Sequence, residues 1–412
     1  MTNHATATPA HGHSARFAFI TVFLDAMGIG IILPVMPDLI QELSSASISQ
    51  AAIYGGYLSF VYALMQFLTG PTLGNFSDRF GRRPILLISL AALGIDYVIM
   101  GFAPSLWLLA VGRLIAGIAG ATHATAFAVT ADISDNSNRT RNFGMVSAGF
   151  GFGFIAGPII GGLVAEFGTR APFFAAAFLV FLNFLYGAII FPETLSEENR
   201  RAFSWRRANP LGALQQASLV PGLIFFLAAF FLFHLATHIY PAIWPYYTRE
   251  AFQWTSREIG ISLGIFGLFY ALVQAFLIRW LLSFISESRV ALLGILLETV
   301  ALFGYLFIFQ GWILYLFLPF SALGGITGPA MQGLMTKRVS DNAQGELQGA
   351  IASISAITTI ISPLIMTWLF AFFTVQGTPY YHPAGAFGVA ALLTLLVLWP
   401  LRRAISITTQ AT

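Results

Sequence analysis

The chain has 412 residues, of which 57% are hydrophobic and 9% charged, with a net charge of +3 and no cysteine. A water-soluble domain carries roughly a quarter charged residues, so most of this surface faces something other than water. The missing cysteines exclude disulfides and thiolate metal sites, and the small positive charge points to membrane topology rather than to a nucleic-acid partner.

Residues 1–15 are polar and short and lack a basic stretch followed by a cleavage site, so the first apolar run reads as a retained span. Apolar runs of about 20 residues, each long enough to cross a ~30 Å hydrocarbon core, then follow one another. They lie at 16–38, 53–75, 84–103, 105–132, 143–166, 172–191, 221–248, 256–283, 289–309, 312–338, 345–370 and 383–403. Strand-period alternation is absent, and backbone groups in lipid must pair internally, which leaves helices. The expected fold is an all-α membrane protein of twelve transmembrane helices.

All but four of the 20 basic residues fall on one side if the N-terminus is inside, among them Arg79, Arg139, Arg141, Arg200, Arg201, Lys337, Arg338, Arg402 and Arg403. Arg170, Arg249 and Arg257 fall outside, and Arg113 lies within a span. The positive-inside rule then places both termini, the 1–15 and 404–412 tails, in the cytoplasm.

The one long polar interruption, 192–220, carries Arg200, Arg201, Arg206 and Arg207 and divides the spans six and six. Tyr62-Ala-Leu-Met-Gln66 returns as Tyr270-Ala-Leu-Val-Gln274, 208 residues on, and Ser134-Asp135-Asn136 returns as Ser340-Asp341-Asn342, 206 residues on. Two matches at nearly one offset indicate duplication, hence two pseudo-symmetric six-helix bundles, 16–191 and 221–403, joined by a cytoplasmic linker. Paired halves of this kind suit alternating access around a central site, so the expected function is transport of a small solute. An enzyme or an ATP-driven pump is disfavoured, because neither a catalytic array nor a phosphate-cradling loop is present.

Between the second and third spans stands Gly74-Asn-Phe-Ser-Asp78-Arg79-Phe-Gly81-Arg82-Arg83-Pro84. An acidic residue in a tight, glycine-bounded basic turn pairs with arginines or caps a facing helix, contacts that a cytoplasmic gate can break and reform. The alternative for Arg82 and Arg83 is a purely topogenic role. Span four carries Gly112-Arg113, and span five carries Gly149, Gly153, Gly157-Pro158 and Gly161, small residues four apart that let helices approach closely.

These stretches resemble the major facilitator superfamily, and span five resembles the glycine–proline motif of its drug/proton antiporters. Tetracycline/proton antiporters are most similar, through Leu24-Asp25 to Pro34, Tyr62 to Leu68, Ser77 to Pro84, Ile95-Asp96-Tyr97, Phe143 to Ser147 and Gln344 to Gly349. The resemblance covers nearly the whole chain and weakens in the central loop and span seven. It implies the major facilitator fold, no cofactor, no metal, an inner-membrane location and a unit that works as a monomer amid lipid. The implied function is proton-driven export of amphipathic drugs of tetracycline type; the alternative is an importer or uniporter of a nutrient or organic anion.

A charge in the bilayer costs about 2.5–3.5 kcal/mol on insertion scales, so the few present need a reason. Asp25, Asp96 and Glu298 are candidate proton carriers, with Asp25 and Arg113 expected to form the coupling pair or, alternatively, a permanent structural one. Asp96 and Glu298 resemble the family's acids in spans three and nine, where the usual residue in span nine is Asp. The family pattern in span eight has His where this chain has Tyr270. His234 and His238, one helical turn apart in span seven where relatives commonly have glutamines, are then expected to supply the missing proton relay, or else to hydrogen-bond neighbouring helices. Gln66, Tyr62, His123, Tyr270, Gln274 and His238 are the candidate substrate contacts.

Overall fold

The computed structural model describes residues 9–135, 138–204, 223–340 and 343–409. Asn136, Asp341, Asn342, Arg206 and Arg207, with residues 1–8 and most of the 192–220 linker, lie outside the described residues. Among the described residues every regular element is helical.

Among the described residues twelve helices are long and apolar enough to span a membrane: α1 (Arg16–Ser44), α2 (Ile48–Phe80), α3 (Arg82–Phe102), α4 (Leu106–Asp132), α5 (Arg139–Phe167), α6 (Ala171–Ile189), α7 (Leu223–Phe252), α8 (Ser256–Leu282), α9 (Glu287–Phe307), α10 (Gly311–Thr336), α11 (Gln344–Phe373) and α12 (Gly385–Ser406). The chain is a multi-pass membrane protein with two pseudo-symmetric six-helix bundles. Large apolar side chains such as Trp107, Trp312, Trp368 and Trp399 stand exposed, as a lipid-facing surface requires.

Two compact units emerge, one within residues 1–35 and 64–209 and one within 36–63 and 210–412. The second therefore includes the C-terminal end of α1 and the start of α2. There Asp38 pairs with Arg249 and accepts from Ser256 Oγ at 2.8 Å, and Ser49 Oγ meets Thr374 Oγ1 at 2.8 Å. Its core joins α7, α9, α10, α11 and α12 through Phe226, Phe230, Ile295, Met331, Leu347 and Leu401.

In the first unit the tightest seam lies between α1 and α5. A methyl group added at Gly149 would meet Phe19; at Gly153, the Phe23 carbonyl; at Gly157, the Met27 carbonyl; at Gly161, the Ile31 carbonyl. Four glycines at i+4 intervals thus face four α1 residues at i+4 intervals, backbone against backbone. Pro158 lies against Gly30 in the same seam. Gly157→Val should therefore lower the melting temperature of the solubilised protein sharply, since overpacking against an immovable carbonyl costs about 1–3 kcal/mol or more. Gly151→Ala, on the same helix where an added methyl meets nothing within 4 Å, should melt like the parent.

Several spans break where carbonyls are left free. α4 is interrupted at Ala119–Ala121, α7 at His238, α8 widens to a π-turn over Val273–Leu277, and α10 tightens over Ala322–Ile326. Such irregular turns expose backbone groups that side chains must satisfy.

Candidate functional site

The α2–α3 junction corrects one expectation. Residues 74–80 are not a turn: α2 runs on as helix to Phe80, and the chain reverses at Gly81 alone, with φ +105°. Only glycine takes that backbone without strain. Gly74 sits inside the helix with nothing within 4 Å of where a side chain would begin.

Arg82 organises this corner. Its guanidinium reaches Asp78 Oδ1 at 2.7 Å, Asp132 Oδ2 at 2.8 Å and Ser77 Oγ at 3.2 Å. Arg83 donates to the Ala188 carbonyl at 2.5 Å, while Arg79 is exposed, its guanidinium 5.0 Å from the Phe80 ring. The cap of α3 comes from Glu193, which accepts from the backbone N–H of Arg82 (2.8 Å), Arg83 (3.1 Å), Thr194 (3.0 Å) and Leu195 (3.0 Å). A carboxylate on a helix N-terminus gains from both the free N–H groups and the helix dipole. Any side chain at Gly81 would strike Glu193. Asp132 and Glu193 were missed by the reading of the sequence. The available signal was an acid directly after an apolar span, in a chain with only 17 acidic residues.

Deeper in the first bundle, Arg113 pairs with Asp96, whose side chain is fully buried. Gly112 makes the room, because a methyl there would lie 2.5 Å from Asp96 Oδ1. The expected Asp25–Arg113 pair is thus replaced. The reason is rotational: Asp25 falls two residues after Phe23 and two before Met27, about 200° round α1 from the α5 seam. Asp25 is half-buried and makes no ion pair or hydrogen bond among the described residues.

Gln66 donates to the Gly120 carbonyl at 3.1 Å, at the break of α4, and Thr69 donates to the Ile118 carbonyl at 2.9 Å beside it. Tyr62 is half-buried one turn before Gln66. His123 is exposed, with ring neighbours Phe127 (4.8 Å) and Phe150 (5.3 Å).

The second bundle repeats the plan. Gln274, held in the π-turn, donates to the Gly325 carbonyl at 3.0 Å, at the irregular turn of α10. Glu298, 4% exposed, fits against Gly324, where a side chain would collide with its carboxylate. Tyr240, Tyr270 and Tyr305 surround that carboxylate, and Tyr305 donates to Ser321 Oγ at 2.7 Å. Phe266 links Tyr240 (5.5 Å) to Tyr270 (5.8 Å), and Trp244 and Phe387 close the ring cluster behind.

His234 and His238 lie with ring centroids 5.8 Å apart. His238 Nδ1 is 2.6 Å from the His234 carbonyl, so that nitrogen carries a proton. Nε2 is 3.1 Å from Thr359 Oγ1, whose hydroxyl also reaches the Ser355 carbonyl at 2.8 Å. One hydroxyl proton faces two acceptors. Given to Nε2 it meets a neutral imidazole; given to Ser355 it leaves Nε2 free to hold a second proton. Outside the spans, Tyr381 donates to Glu250 at 2.6 Å; burial first, then the neighbouring carboxylate, pushes its hydroxyl up to about 12. Among the described residues no cluster of His, Asp and Glu could hold a metal.

The model of the Major Facilitator Superfamily matches residues 18–243 and 225–411. The chain is 40% identical to the tetracycline resistance protein, class C, of Escherichia coli over 351 residues, 85% of this chain and 88% of that one. It is 39% identical to the class G protein of Vibrio anguillarum over 395 residues, 95% and 97% of the two chains. The crystal structure of the nucleoside transporter NupG shares the fold, with a TM-score of 0.77 at 14% identity over 95% of this chain and 99% of that one. The repeated glutamine–carbonyl and acid–glycine contacts are thus set in a known scaffold, and the chain belongs to the major facilitator superfamily, with the tetracycline resistance proteins among its relatives.

Proposed function

We propose that this protein is a proton-coupled efflux antiporter for amphipathic drugs of tetracycline type, working by alternating access. The relatives' names supply the drug class. The observation that carries the coupling is the unequal treatment of the intramembrane acids: Asp96 holds Arg113, whereas Asp25 and Glu298 have no cationic partner among the described residues. A carboxyl without a counterion has no fixed charge to balance, so it is suited to take and release protons as the bundles 16–191 and 221–403 rock. His238, with its shared hydroxyl proton, is suited to pass protons in the second bundle, where the relatives' histidine in span eight is Tyr270. In this reading the protein lies in the inner membrane as a monomer, with both termini, the 192–220 linker and the Arg82 corner on the cytoplasmic side. Asp78, Asp132 and Glu193 around Arg82 form contacts that a gate can exchange.

Inverted membrane vesicles with an acidic interior should accumulate labelled tetracycline, and collapsing the gradient with an uncoupler should release it. Equal accumulation with and without the gradient would overturn the coupling.

A further inference from the structure

Three arginines gather in the second unit where the start of α7 and the ends of α10 and α12 come together. Arg338, just beyond α10, holds its guanidinium 5.8 Å from the Phe226 ring and donates to the Ala404 carbonyl of α12 at 3.2 Å. Arg403 of α12 lies 6.0 Å from the Phe225 ring, and both Arg403 and its neighbour Arg402 are exposed. Ring faces hold a planar guanidinium by its flat side, which leaves the N–H donors on its edge free for an acceptor.

The chain offers these donors no carboxylate. Arg338, Arg402 and Arg403 form no ion pair among the described residues, and Arg338 Nε is buried without a hydrogen bond. The sequence explains this: residues 221–248 contain no acid, and the last acid of the chain is Glu346. Arg82 in the first unit is the contrast, since Asp78 and Asp132 neutralise it from within. Arginines that only set topology need neither a ring beneath them nor a shared corner.

The surface next to this corner indicates where the missing anion comes from. Trp399, one turn before Arg403, is 70% exposed, with its ring edge-on to Phe225 at 6.2 Å. Leu396 and Leu392 continue the same face of α12 and are exposed too. Apolar stripe, aromatic ring and cationic edge follow in the order in which a bilayer presents acyl chain, glycerol level and phosphate. A free phosphate would match the cations alone; a phospholipid matches the whole face.

We propose that Arg338, Arg402 and Arg403 bind the headgroup of an anionic phospholipid, whose acyl chains lie along Trp399, Leu396 and Leu392. Two phosphate oxygens suit the fork of one guanidinium, and the remaining cations have no other counter-charge. A zwitterionic lipid brings its own ammonium beside the phosphate and gains less here. The site stands apart from the solute path, so it holds whichever drug the protein exports.

The test uses the full-length protein, delipidated in detergent, with the first bound lipid read by native mass spectrometry. The probes are phosphatidylglycerol and phosphatidylcholine with identical acyl chains. Wild-type protein should half-saturate with phosphatidylglycerol at a concentration about 10-fold or more lower, and Arg402→Gln/Arg403→Gln should bring the two lipids near equality. Arg139→Gln/Arg141→Gln, which removes the same charge from the first bundle, should keep the wild-type preference. Inorganic phosphate at equal concentration should leave phosphatidylglycerol in place. Trp399→Leu should weaken both lipids alike and leave their ratio unchanged. Equal wild-type affinity, an undiminished preference without Arg402 and Arg403, or an equal loss in the Arg139/Arg141 variant overturns the site. Displacement by inorganic phosphate overturns the lipid as its occupant, and so does unchanged binding of both lipids by Trp399→Leu. Should the double variant fail to fold, Arg403→Gln alone decides, and a wild-type preference in it overturns the site.

Discussion

Asp25→Asn is expected to abolish gradient-driven accumulation of tetracycline in inverted vesicles, down to the level of vesicles without the protein. An amide keeps the size and polarity of the carboxyl but exchanges no proton at any accessible pH. Nothing else in the bundle should notice. The α5 seam is built from Phe19, Phe23, Met27 and Ile31 on another face of α1, and Arg113 remains neutralised by Asp96. The variant should therefore reach the membrane in wild-type amounts and solubilise as a monodisperse species. It should also still exchange labelled for unlabelled drug across the membrane, since that half-reaction moves no net proton. Wild-type accumulation by Asp25→Asn would remove Asp25 from the coupling path and leave Glu298 as the carrier.

The second large effect concerns the Asp96–Arg113 pair. Removing one member of a buried ion pair leaves a bare charge and typically costs about 3–5 kcal/mol, whereas replacing both members costs far less. The two single variants should not be equal. With Arg113→Gln, Asp96 can take a proton and become neutral; with Asp96→Asn, the guanidinium remains charged at all working pH values. Thermal melting of solubilised protein should therefore rank wild type highest, the double variant Asp96→Asn/Arg113→Gln next, Arg113→Gln below it and Asp96→Asn lowest. A double variant no more stable than Asp96→Asn would mean that the two side chains contribute separately, and the pair would lose its structural meaning. Since the pair sits against Gly112, Gly112→Ala should mimic part of the damage by pushing the carboxylate off its partner.

These predictions divide the acids by role. Among the described residues Asp96 has a cationic partner, Asp25 has none, and Glu298 is set among Tyr240, Tyr270 and Tyr305. A duplicated scaffold has kept the contacts that hold its helices together, Gln66 to Gly120 and Gln274 to Gly325, and changed what faces the buried acid. That division also accounts for the shared Tyr-Ala-Leu-x-Gln stretch at 62–66 and 270–274: its glutamines carry the same backbone contact in both halves.

What could be read from the chain itself was whatever depends on neighbours in sequence. The length of each apolar run sets whether it spans lipid, and the twelve expected spans recur with ends moved by a few residues. The α5 glycines were legible for the same reason, since i+4 spacing puts them on one face wherever that face turns. The α2–α3 junction was misread at its start because Gly74 permits a turn without demanding one, whereas the positive φ at Gly81 requires it. Arg113's partner was beyond reach of the sequence. Asp25 and Asp96 are both carboxylates set among apolar residues, and only the rotation of α1 against α5, together with the hollow at Gly112, brings one to the guanidinium and turns the other away. Glu193 was hidden likewise, because a cap is defined by the chain ending that folds back onto a distant helix start. Local hydrophobicity decides where helices form; which charges meet is decided by how those helices are turned against one another, and that is a property of packing across more than a hundred residues of chain.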